Sequence, residues 1–479
     1  MPRNHLSPLQ HSISIMKIII AGAGAVGTHL AELLSQENHD IILMDEDSDK
    51  TEHMAGGNYD LLIMNASPTS ISGLKEAGVA HTDLFIAVTP EETKNITCCM
   101  LAHTLGAKKT VARVDNSEYT TEHYREVFKQ MGIDSLVYPE ELAAKEIIDG
   151  LKRSWVRQYW EVHNGALCLM GIKLREEASD LYGKPLKELC GPTSPFHIVA
   201  LKRGEATIIP NGNTEILLGD IAYFMTTRKH IQLIRKIVGK ENYADVRKAM
   251  IMGGGDITVH VAHAKPENIS LKIIEHNEER CQQLLEQLDD SDIMVIHGDA
   301  RDTDLLIDEG IRDVQGFAAL TSNTENNILA CLAAKRLGVR KTVAQVENMD
   351  YVAMAGKLDI GTIVNKKTIA ASHIYRMMLD TDVANIRRLT IADADIAEFV
   401  AAEGSPITKK TIREFHFPAG ITLGGLVRDG VGMSIGGNTQ VLPGDCVVVF
   451  SKSGLIRQID NYFAPSTSTL NSIISALKV

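Results

Sequence analysis

Short apolar runs alternate with segments of helical periodicity along the first third of the chain. The apolar runs are typical of strands buried on both faces of a parallel sheet, and the segments between them repeat apolar positions as helices do. The pattern predicts strands at 17–21, 40–44, 60–64, 84–88, 110–114 and 136–137, with helices at 25–36, 47–54, 70–76, 92–105 and 118–130. Right-handed crossovers then make this an α/β, Rossmann-like, doubly wound parallel sheet.

A glycine-rich turn, Gly22-Ala23-Gly24-Ala25-Val26-Gly27, joins the first strand to the first helix. In such a turn the first glycine permits the bend, the second lets backbone approach a pyrophosphate, and the third lets helix and strand pack closely. The helix N-terminus then faces the anion with free N–H groups. Taken alone, the motif is also compatible with a structural turn that binds nothing.

An acidic residue supports the nucleotide interpretation. Asp45 follows the second strand, 18 residues after Gly27, where an acid accepts hydrogen bonds from ribose hydroxyls. A carboxylate there repels a 2′-phosphate. We therefore expect NAD(H) or an adenine nucleotide such as ATP or ADP rather than NADP.

Further polar positions lie at strand ends, where open α/β sheets bind ligands. Asn65-Ala66-Ser67 ends the third strand, Thr89 the fourth, and Arg113 lies in the fifth. A cation in an apolar strand is costly to bury unless it is paired, so Arg113 faces either a bound phosphate or a carboxylate of the chain. Asn95, in the first turn of the next helix, is either a helix cap or a ligand contact.

The chain is an internal duplication. Lys109-Thr110-Val111-Ala112-Arg113-Val114 recurs as Lys341-Thr342-Val343-Ala344-Gln345-Val346, a displacement of 232. Other pairs keep the order: Gly22 and Gly253, Gly24 and Gly255, Asp45 and Glu275, Thr89 and Thr321, Asn95 and Asn327, and Gly219-Asp220 and Gly444-Asp445. Each half therefore combines a parallel-sheet domain, a connecting helix and a small α+β module.

The expected boundaries are a tail at 1–15, a Rossmann-like domain at 16–138, a crossover helix at 139–160, a small domain at 161–237, a second Rossmann-like domain at 248–365, a second crossover helix at 366–385, a second small domain at 386–465 and a tail at 466–479.

The second half differs from the first where a dinucleotide would bind. Thr258 replaces the third glycine, Asp256 adds a carboxylate near the pyrophosphate, and Gln345 replaces Arg113. These changes predict a weakened or absent site. Glu275 and Thr321 leave a differently bound ligand possible.

Composition excludes several classes of function. The 479 residues carry a formal net charge of -12, so nucleic acid is not an expected partner. Seven scattered cysteines without a Cys-x-x-Cys pair fit a reducing cytoplasm and free thiols. No apolar run reaches the ~18 residues of a membrane helix. No Cys/His spacing suits a metal, and no histidine pairs with a carboxylate in a catalytic pattern, so no metal ligand and no catalytic residue is predicted.

From Met16 onward the chain resembles the TrkA-like, peripheral nucleotide-binding regulatory subunits of Trk-type potassium uptake systems, with tandem regulator-of-K-conductance (RCK) domains. The resemblance rests on the glycine turn, Asp45, the Ala87-Val88-Thr89 strand end with Asn95, Arg113 and the two appended modules. It implies TrkA-C-like small domains and a homo-oligomer, a dimer or tetrameric ring. This assembly would lie on the inner face of the cell membrane beneath a TrkH-like potassium translocator, whose potassium uptake it controls.

The resemblance also implies the residues of the site. The cofactor-binding set is Gly22, Gly24, Ala25, Val26, Gly27, Asp45, Ala66, Ser67, Thr89 and Arg113, and a possible second site comprises Gly253, Gly255, Glu275, Asp299 and Thr321. One segment departs from the family: Asn65-Ala66-Ser67 stands where Gly-Asp-Ala is usual, and the second half keeps this as Gly298-Asp299-Ala300.

The sequence thus favours a nucleotide-sensing regulatory subunit without enzymatic activity. Two alternatives remain at this stage. An NAD-dependent oxidoreductase would share the phosphate loop, but it needs a proton donor or acceptor aimed at the nicotinamide, which the small duplicated modules do not offer. A regulator of a different channel or transporter would share every feature given above.

Overall fold

The computed structural model describes residues 16–465 except 36–38, 56–58, 164, 192–193, 205, 379–382, 389–393, 416, 453–454 and 456–458. The predicted tails at 1–15 and 466–479 lie outside the described residues. The chain divides into two compact units, Met1–Pro139 with His373–Met378 and Glu140–Ser372 with Leu379–Val479. Within the described part of the chain, no helix is both long enough and apolar enough to cross a membrane.

The first unit is built on a six-stranded parallel sheet. Its strands are β1 (Lys17–Ala21), β2 (Asp40–Asp45), β3 (Leu62–Asn65), β4 (Leu84–Ala87), β5 (Thr110–Arg113) and β6 (Ser135–Val137). They pair in the order 3-2-1-4-5-6, which is the doubly wound order expected from the pattern. The helices between them are α1 (Ala25–Ser35), α2 (Ser48–Ala55), α3 (Ile71–Glu76), α4 (Glu92–Thr104) and α5 (Glu122–Gln130). Apolar residues of the last three helices pack with the sheet in one buried cluster.

The fifth predicted helix was too long at its start. Ser117–Thr120 forms a separate 3₁₀ turn, and α5 begins only at Glu122. The physical reason is local capping: the Asn116 side chain accepts a hydrogen bond from the Glu118 N–H, and Thr121 is extended with φ −66° and ψ 150°. An extended residue cannot continue a helix.

The second unit begins with a connecting helix and a five-stranded antiparallel sheet. The elements are α6 (Pro139–Leu151), β7 (Gln158–Val162), β8 (Leu167–Lys173), α7 (Leu186–Leu189), β9 (Phe196–Arg203), β10 (Ala206–Ile208), β11 (Ile221–Thr226) and α8 (Ile231–Ile237). The strands pair in the order β10-β9-β11-β8-β7.

A second parallel sheet follows and repeats the first. Its elements are β12 (Lys248–Met252), α9 (Asp256–Ala264), β13 (Ser270–Glu275), α10 (Glu278–Gln287), β14 (Ile293–His297), α11 (Thr303–Asp308), β15 (Gly316–Ala319), α12 (Thr324–Arg336), β16 (Lys341–Gln345), α13 (Met349–Lys357) and β17 (Thr362–Val364). The strand order is β14-β13-β12-β15-β16-β17, the same as in the first sheet.

The second connecting helix and a second antiparallel sheet complete the chain. They are α14 (Lys366–Met378), β18 (Val383–Arg388), β19 (Ala394–Val400), β20 (Ile421–Arg428), β21 (Val431–Ser434), β22 (Cys446–Lys452) and α15 (Asp460–Phe463). The strand order β18-β19-β22-β20-β21 corresponds strand for strand to the first antiparallel sheet. The fold is therefore α/β, with two tandem Rossmann-like domains that are each followed by a small sheet domain.

The apolar face of α6 packs against the second parallel sheet. Ala143, Ile147 and Leu151 belong to one buried cluster with Ala249 of β12 and Ile273 of β13. In the structure the helix that leaves the first sheet is part of the core of the second unit.

A buried ion pair recurs in the two antiparallel sheets. Arg428 donates to both carboxylate oxygens of Asp445, at 2.8 and 2.7 Å, and Asp445 also accepts from the Leu442 N–H at 2.8 Å. Burial raises the pKa of Asp445, but the hydrogen bonds from Arg428 and Leu442 outweigh that effect and hold the pKa below its ordinary value. Arg203 makes the same two bonds to Asp220 in the first copy. The Gly-Asp repeat found in the sequence is therefore a structural clamp.

Replacing Asp445 by alanine should lower the free energy of unfolding by about 3 kcal/mol, because Arg428 is left without its partner next to the sheet. Urea denaturation followed by circular dichroism measures this loss. Glu286→Ala, at an exposed position on α10, is the control and should change stability by less than about 0.5 kcal/mol. Equal effects of the two variants would contradict the clamp.

Candidate functional site

The predicted site residues of the first half meet at one edge of the first sheet. Parallel pairing aligns Ala21 with Ala87 and Ala87 with Ala112, so the residues that follow these strands lie side by side. Gly22, Thr89 and Arg113 are thereby neighbours at the carboxyl edge, and Asp45 ends the adjacent strand β2. This edge lies at the point where the strand order reverses, which is where doubly wound sheets bind ligands.

The three glycines of the turn have different surroundings. Gly22 has φ +114°, and a Cβ on it would lie 2.9 Å from the Thr89 nitrogen. A Cβ on Gly27 would lie 1.8 Å from the Gly22 oxygen, a distance that no side chain can occupy. A Cβ on Gly24 would meet nothing within 4 Å. Gly22 and Gly27 are therefore required by the fold, whereas Gly24 leaves open space in front of the N-terminus of α1.

Asp45 holds the glycine turn from the side. Its carboxylate accepts hydrogen bonds from the Ala23 N–H at 2.7 Å and the Asp47 N–H at 3.0 Å, and the residue is 8% exposed. A carboxylate has about four lone-pair sites, so two remain for the hydroxyls of a ribose. The same acid thus shapes the loop and offers acceptors beside it.

Thr89 and Asn95 form a closed bracket between β4, α4 and β5. The Asn95 oxygen accepts from the Thr89 N–H at 2.8 Å and the Thr89 hydroxyl at 2.7 Å. The Asn95 amide donates to the carbonyls of Thr89 and Arg113 at 3.0 and 2.9 Å. Asn95 is buried and its polar atoms are used by the fold. Asn95 is therefore not a cap of α4, whose N-cap is Glu91; its side chain joins the ends of β4 and β5, and a ligand contact stays a prediction.

One nitrogen of the Arg113 guanidinium group is paired with a carboxylate, and another has no hydrogen-bond partner among the described residues. Its Nη2 donates to Asp115 at 2.8 Å, so the carboxylate partner foreseen as an alternative exists. Its Nε is buried and has no hydrogen-bond partner among the described residues. A buried donor without a partner costs free energy, and an anion at this edge would satisfy it.

The third strand contributes Ala66 and Ser67, and here our alignment of the two halves was wrong by one residue. Asp45 pairs with Asn65, as Glu275 pairs with His297. The Ala66 and Gly298 nitrogens donate to the Asp45 and Glu275 carbonyls at 3.0 and 2.9 Å. Ala66 therefore corresponds to Gly298, and Ser67 to Asp299. A sequence comparison without the strand register could not place this short segment.

Two lysines form ion pairs with acidic residues beside the site, and the sequence did not predict these pairs. Lys94 bonds Glu46 at 2.6 Å and lowers the pKa of that carboxyl group. Lys50 lies 3.1 Å from Asp47 and lowers the pKa of that group. Glu46 and Lys94 come from different parts of the edge. Asp47 lies just before α2, and Lys50 lies in the first turn of that helix. Their sequence signal is only an acidic run followed by isolated lysines, which is too common to predict a site.

The second half keeps the frame of this edge. Glu275 accepts from the Gly254 N–H at 2.6 Å and the Asn277 N–H at 2.8 Å, and Asn327 brackets Thr321 as Asn95 brackets Thr89. Thr258 is accommodated where Gly27 stands, with its hydroxyl donating to the Gly253 carbonyl at 2.7 Å. The change from glycine to threonine therefore leaves the glycine turn and the start of α9 in place. A Cβ on Gly255 would still meet nothing within 4 Å.

The charges at the second edge differ from those at the first. The first turn of α1 has no acid, whereas α9 begins with Asp256, whose carboxylate lies 3.3 Å from the Arg280 guanidinium. Gln345 donates to Glu347 at 2.9 Å in place of the Arg113–Asp115 pair. Asp299 is paired with Arg301, which lowers its pKa to about 2. The second edge therefore lacks a counterpart of Arg113 and has Arg280 at its glycine turn instead, where Nε donates to the Gly254 carbonyl at 2.7 Å.

One group of donor atoms lies outside both edges. His163, Glu398 and Cys446 place one ligand atom each within 4.8 Å of one another, the one such group among the described residues. Burial raises the pKa of Cys446 to about 12, and its thiol donates to Glu398 at 3.8 Å. In the part of the chain that the structure describes, all seven cysteines are free.

Two domain families match the chain in the tandem order that the fold shows. The TrkA-N domain matches residues 18–139 and 249–366, the two parallel-sheet domains. The TrkA-C domain matches residues 170–239 and 396–464, the two antiparallel-sheet domains.

Full-length relatives are similar over almost the whole chain. The Trk system potassium uptake protein TrkA of Halomonas elongata is 32% identical over 464 residues, covering 94% of this chain and 98% of the relative. The protein of the same name from Haemophilus influenzae is 32% identical over 466 residues, covering 94% and 99%.

Solved structures agree on the fold. The GsuK RCK domain superposes with a TM-score of 0.57 at 16% identity, covering 96% of this chain and 98% of that one. The GsuK channel bound to NAD superposes with a TM-score of 0.56, also at 16% identity, covering 94% and 79%. Domain order, relatives and fold lead to one conclusion: the chain belongs to the TrkA family of Trk system potassium uptake proteins, with tandem TrkA-N and TrkA-C domains.

Proposed function

We propose that this chain is a nucleotide-sensing regulatory subunit that binds NAD(H) at the first parallel-sheet edge and thereby controls potassium uptake by a membrane translocator. The observation that carries the proposal is the open space at Gly24, in a turn whose other two glycines have none. Space of this kind beside a helix N-terminus suits a pyrophosphate.

Two charged residues support the choice of ligand. The buried, unpartnered Nε of Arg113 provides a donor for phosphate. Asp45 keeps acceptors for ribose hydroxyls and disfavours a 2′-phosphate. A solved channel of the same fold is bound to NAD. ATP and ADP share the phosphates and ribose that these residues address, so they are the competing ligands.

The second edge is proposed as the weaker site. Gly253, Gly255, Glu275, Asp299 and Thr321 retain its backbone frame. Asp256 adds negative charge at the helix N-terminus, and Gln345 provides no cation. About one nucleotide per chain is therefore expected.

The proposed action is a switch in conformation without covalent chemistry. A ligand shifts an equilibrium only by its difference in affinity for the two states. A nucleotide that contacts the glycine turn, Asp45 and Arg113 joins residues from three strand ends, so it favours whichever state brings them together. The chain continues from β6 directly into α6, which belongs to the core of the second unit, and this connection is where a change would propagate.

The proposed partner is a TrkH-like translocator, since the relatives are named as components of a Trk system. We place the chain in the cytoplasm, on the inner face of the membrane through that partner, as a homo-oligomer of two or four chains. The net charge of -12 opposes direct binding to anionic lipid, so docking depends on specific protein contacts.

Arg113→Ala should weaken NADH binding by about 1.5–3 kcal/mol, or roughly 10- to 100-fold, because a charged donor to phosphate is lost. Isothermal titration of the full chain with NADH, NAD⁺, NADPH, ATP and ADP measures the affinity and the number of sites. Lys129→Gln removes an exposed cation that is paired with Glu126 and serves as the control. Unchanged NADH affinity in Arg113→Ala would refute the phosphate role of Arg113.

Two glycine variants should separate binding from folding. Gly24→Val should leave the unfolding temperature close to that of the wild type while abolishing NADH binding, because its side chain enters the space reserved for the ligand. Gly27→Ala should destabilise the first unit by about 1–3 kcal/mol, since the added carbon clashes with the Gly22 oxygen. Thermal unfolding without and with NADH measures both effects. Normal NADH affinity in Gly24→Val would show that the turn is structural only.

A further inference from the structure

The second unit contains a cavity of about 340 Å³ that neither parallel-sheet edge uses. It lies where the first antiparallel sheet meets β16 and the loop before β17. Seven cations line it. Lys240 and Arg340 lie beside Tyr243, and the other five form a cluster: Arg157, Lys173 and Arg175 on the side of the first antiparallel domain, and Lys335 and Lys341 from the second parallel domain. Among the described residues that line it, Asp359 is the only carboxylate.

Asp359 is surrounded by more positive charge than it can neutralise. Its carboxylate contacts Arg157 and lies 2.6 Å from Arg175, 3.2 Å from Lys173 and 3.6 Å from Lys335. When all three lysines are protonated, the five cations of the cluster and Asp359 together carry a net charge of +4. Like charges this close repel one another strongly away from bulk water.

The position of Asp359 is itself unusual. It follows Leu358, the C-cap of α13, and has φ +56°, as Gly132 follows Met131 in the first half with φ +85°. A glycine is the ordinary residue at this point. The second half therefore accepts a strained backbone to place a carboxylate among the cations.

Lys341 is the most buried member of the cluster. It is 4% exposed, and its Nζ donates to the Val156 carbonyl at 2.7 Å and the Thr362 hydroxyl at 3.0 Å. Burial and the neighbouring cations lower the pKa of Lys341 and of Lys335 to about 7. The same causes lower the pKa of Lys173 to about 8. A bound anion would remove much of this repulsion.

We propose that this cavity binds a small polyanion through a phosphate chain, a diphosphate or triphosphate that is either free or the phosphate end of a nucleotide. The volume is in the range of ligand pockets, and guanidinium groups bind phosphate oxygens in pairs. Several adjacent cations favour several adjacent negative charges, so a phosphate chain fits better than a single carboxylate.

The two sources of a phosphate chain differ in what accompanies it. Tyr243 lines the same cavity, but Lys240 and Arg340 lie 4.4 and 4.6 Å from the centre of its ring. These two cations thus lie over the aromatic ring on which a nucleotide base would stack.

Because the cations come from two domains of the second unit, the anion would hold those domains together. The inference is independent of nucleotide binding at the glycine turn.

The test is isothermal titration of pyrophosphate and, separately, of ADP into the full chain saturated with NADH, repeated with the Gly24→Val variant. We expect saturable binding with one site per chain. The double variant Lys173→Gln with Arg175→Gln should weaken it at least tenfold. The matched double variant Lys129→Gln with Arg228→Gln, which removes exposed cations paired with Glu126 and Glu161, should not change it.

A third variant changes binding in the opposite direction. Asp359→Gly suits the positive φ and removes the competing carboxylate, so pyrophosphate should bind more tightly while the free protein unfolds at a lower temperature.

Absence of saturable binding, or equal affinity in the two double variants, would overturn the proposal. Tighter binding of ADP than of pyrophosphate, lost in the same double variant, would support it and identify a nucleotide as the source. Loss of NADH binding in Gly24→Val with pyrophosphate binding retained would separate this site from the glycine turn.

The cluster also predicts how stability depends on pH. Lys335 faces Cys331 on its own helix, Arg157, Lys173 and Arg175 from the first antiparallel domain, Lys341 from β16 and Asp359 from the loop. Its pKa of about 7 in the folded chain is below the unfolded value of about 10.4. At a pH between these two pKa values, unfolding is accompanied by the uptake of a proton. The contribution of Lys335 therefore makes the free energy of unfolding increase as the pH rises above 7.

Lys335→Met should reduce the increase in unfolding temperature between pH 7 and about 9. Saturating pyrophosphate should reduce it in the wild type too, because the anion raises the pKa of the amine. Thermal unfolding at a series of pH values, with Lys129→Gln as the control, measures both. Identical pH profiles for Lys335→Met and the wild type would contradict the assignment of this titration to the cavity.

Discussion

The burial of the apolar face of α6 is the interaction on which the arrangement of the second unit depends. Ile147 and Leu151 are buried in one cluster with residues of β12 and β13, and the side chain of Leu151 reaches the space above Gly316. This packing brings the residues after α6 to the second parallel sheet. Arg157 thereby reaches the loop before β17, and the basic cavity exists because the helix is packed there.

Duplication has preserved the buried frame of the sheet edges while their charges have diverged. In both halves an acid accepts the backbone N–H groups of the glycine turn, and an asparagine brackets the end of the fourth strand. These bonds satisfy buried backbone groups, and losing them would cost stability in either copy. The side chains that differ, Arg113 and Gln345, and Ala25 and Asp256, lie at the mouth of each edge. Changes there alter the charge at each edge while the sheet stays the same.

The parallel sheets and the grouping of polar residues at the first edge were largely predictable because they follow from local rules. The periodicity, the glycine spacing and the direction of parallel strands are enough to predict Gly22, Asp45, Thr89 and Arg113 at one edge of the sheet. Asn95 could not be resolved in advance, because capping and ligand contact require the same residue at the same helical position. The alignment of Ala66 with Gly298 was missed because a one-residue shift in a short strand leaves almost no trace in the sequence.

Lys109 and Lys341 differ in burial, and the sequence does not predict this difference. They occupy the same place in the repeat, at the start of the fifth strand of each sheet, and the sequence by itself determined that place, the strand and the sheet order. Lys109 is exposed, whereas Lys341 is buried in a cavity that six other cations line. Only the tertiary structure decided this difference, because burial depends on what packs over a strand. The first antiparallel domain covers Lys341 with residues almost 200 positions away in the chain, a contact that no local pattern encodes.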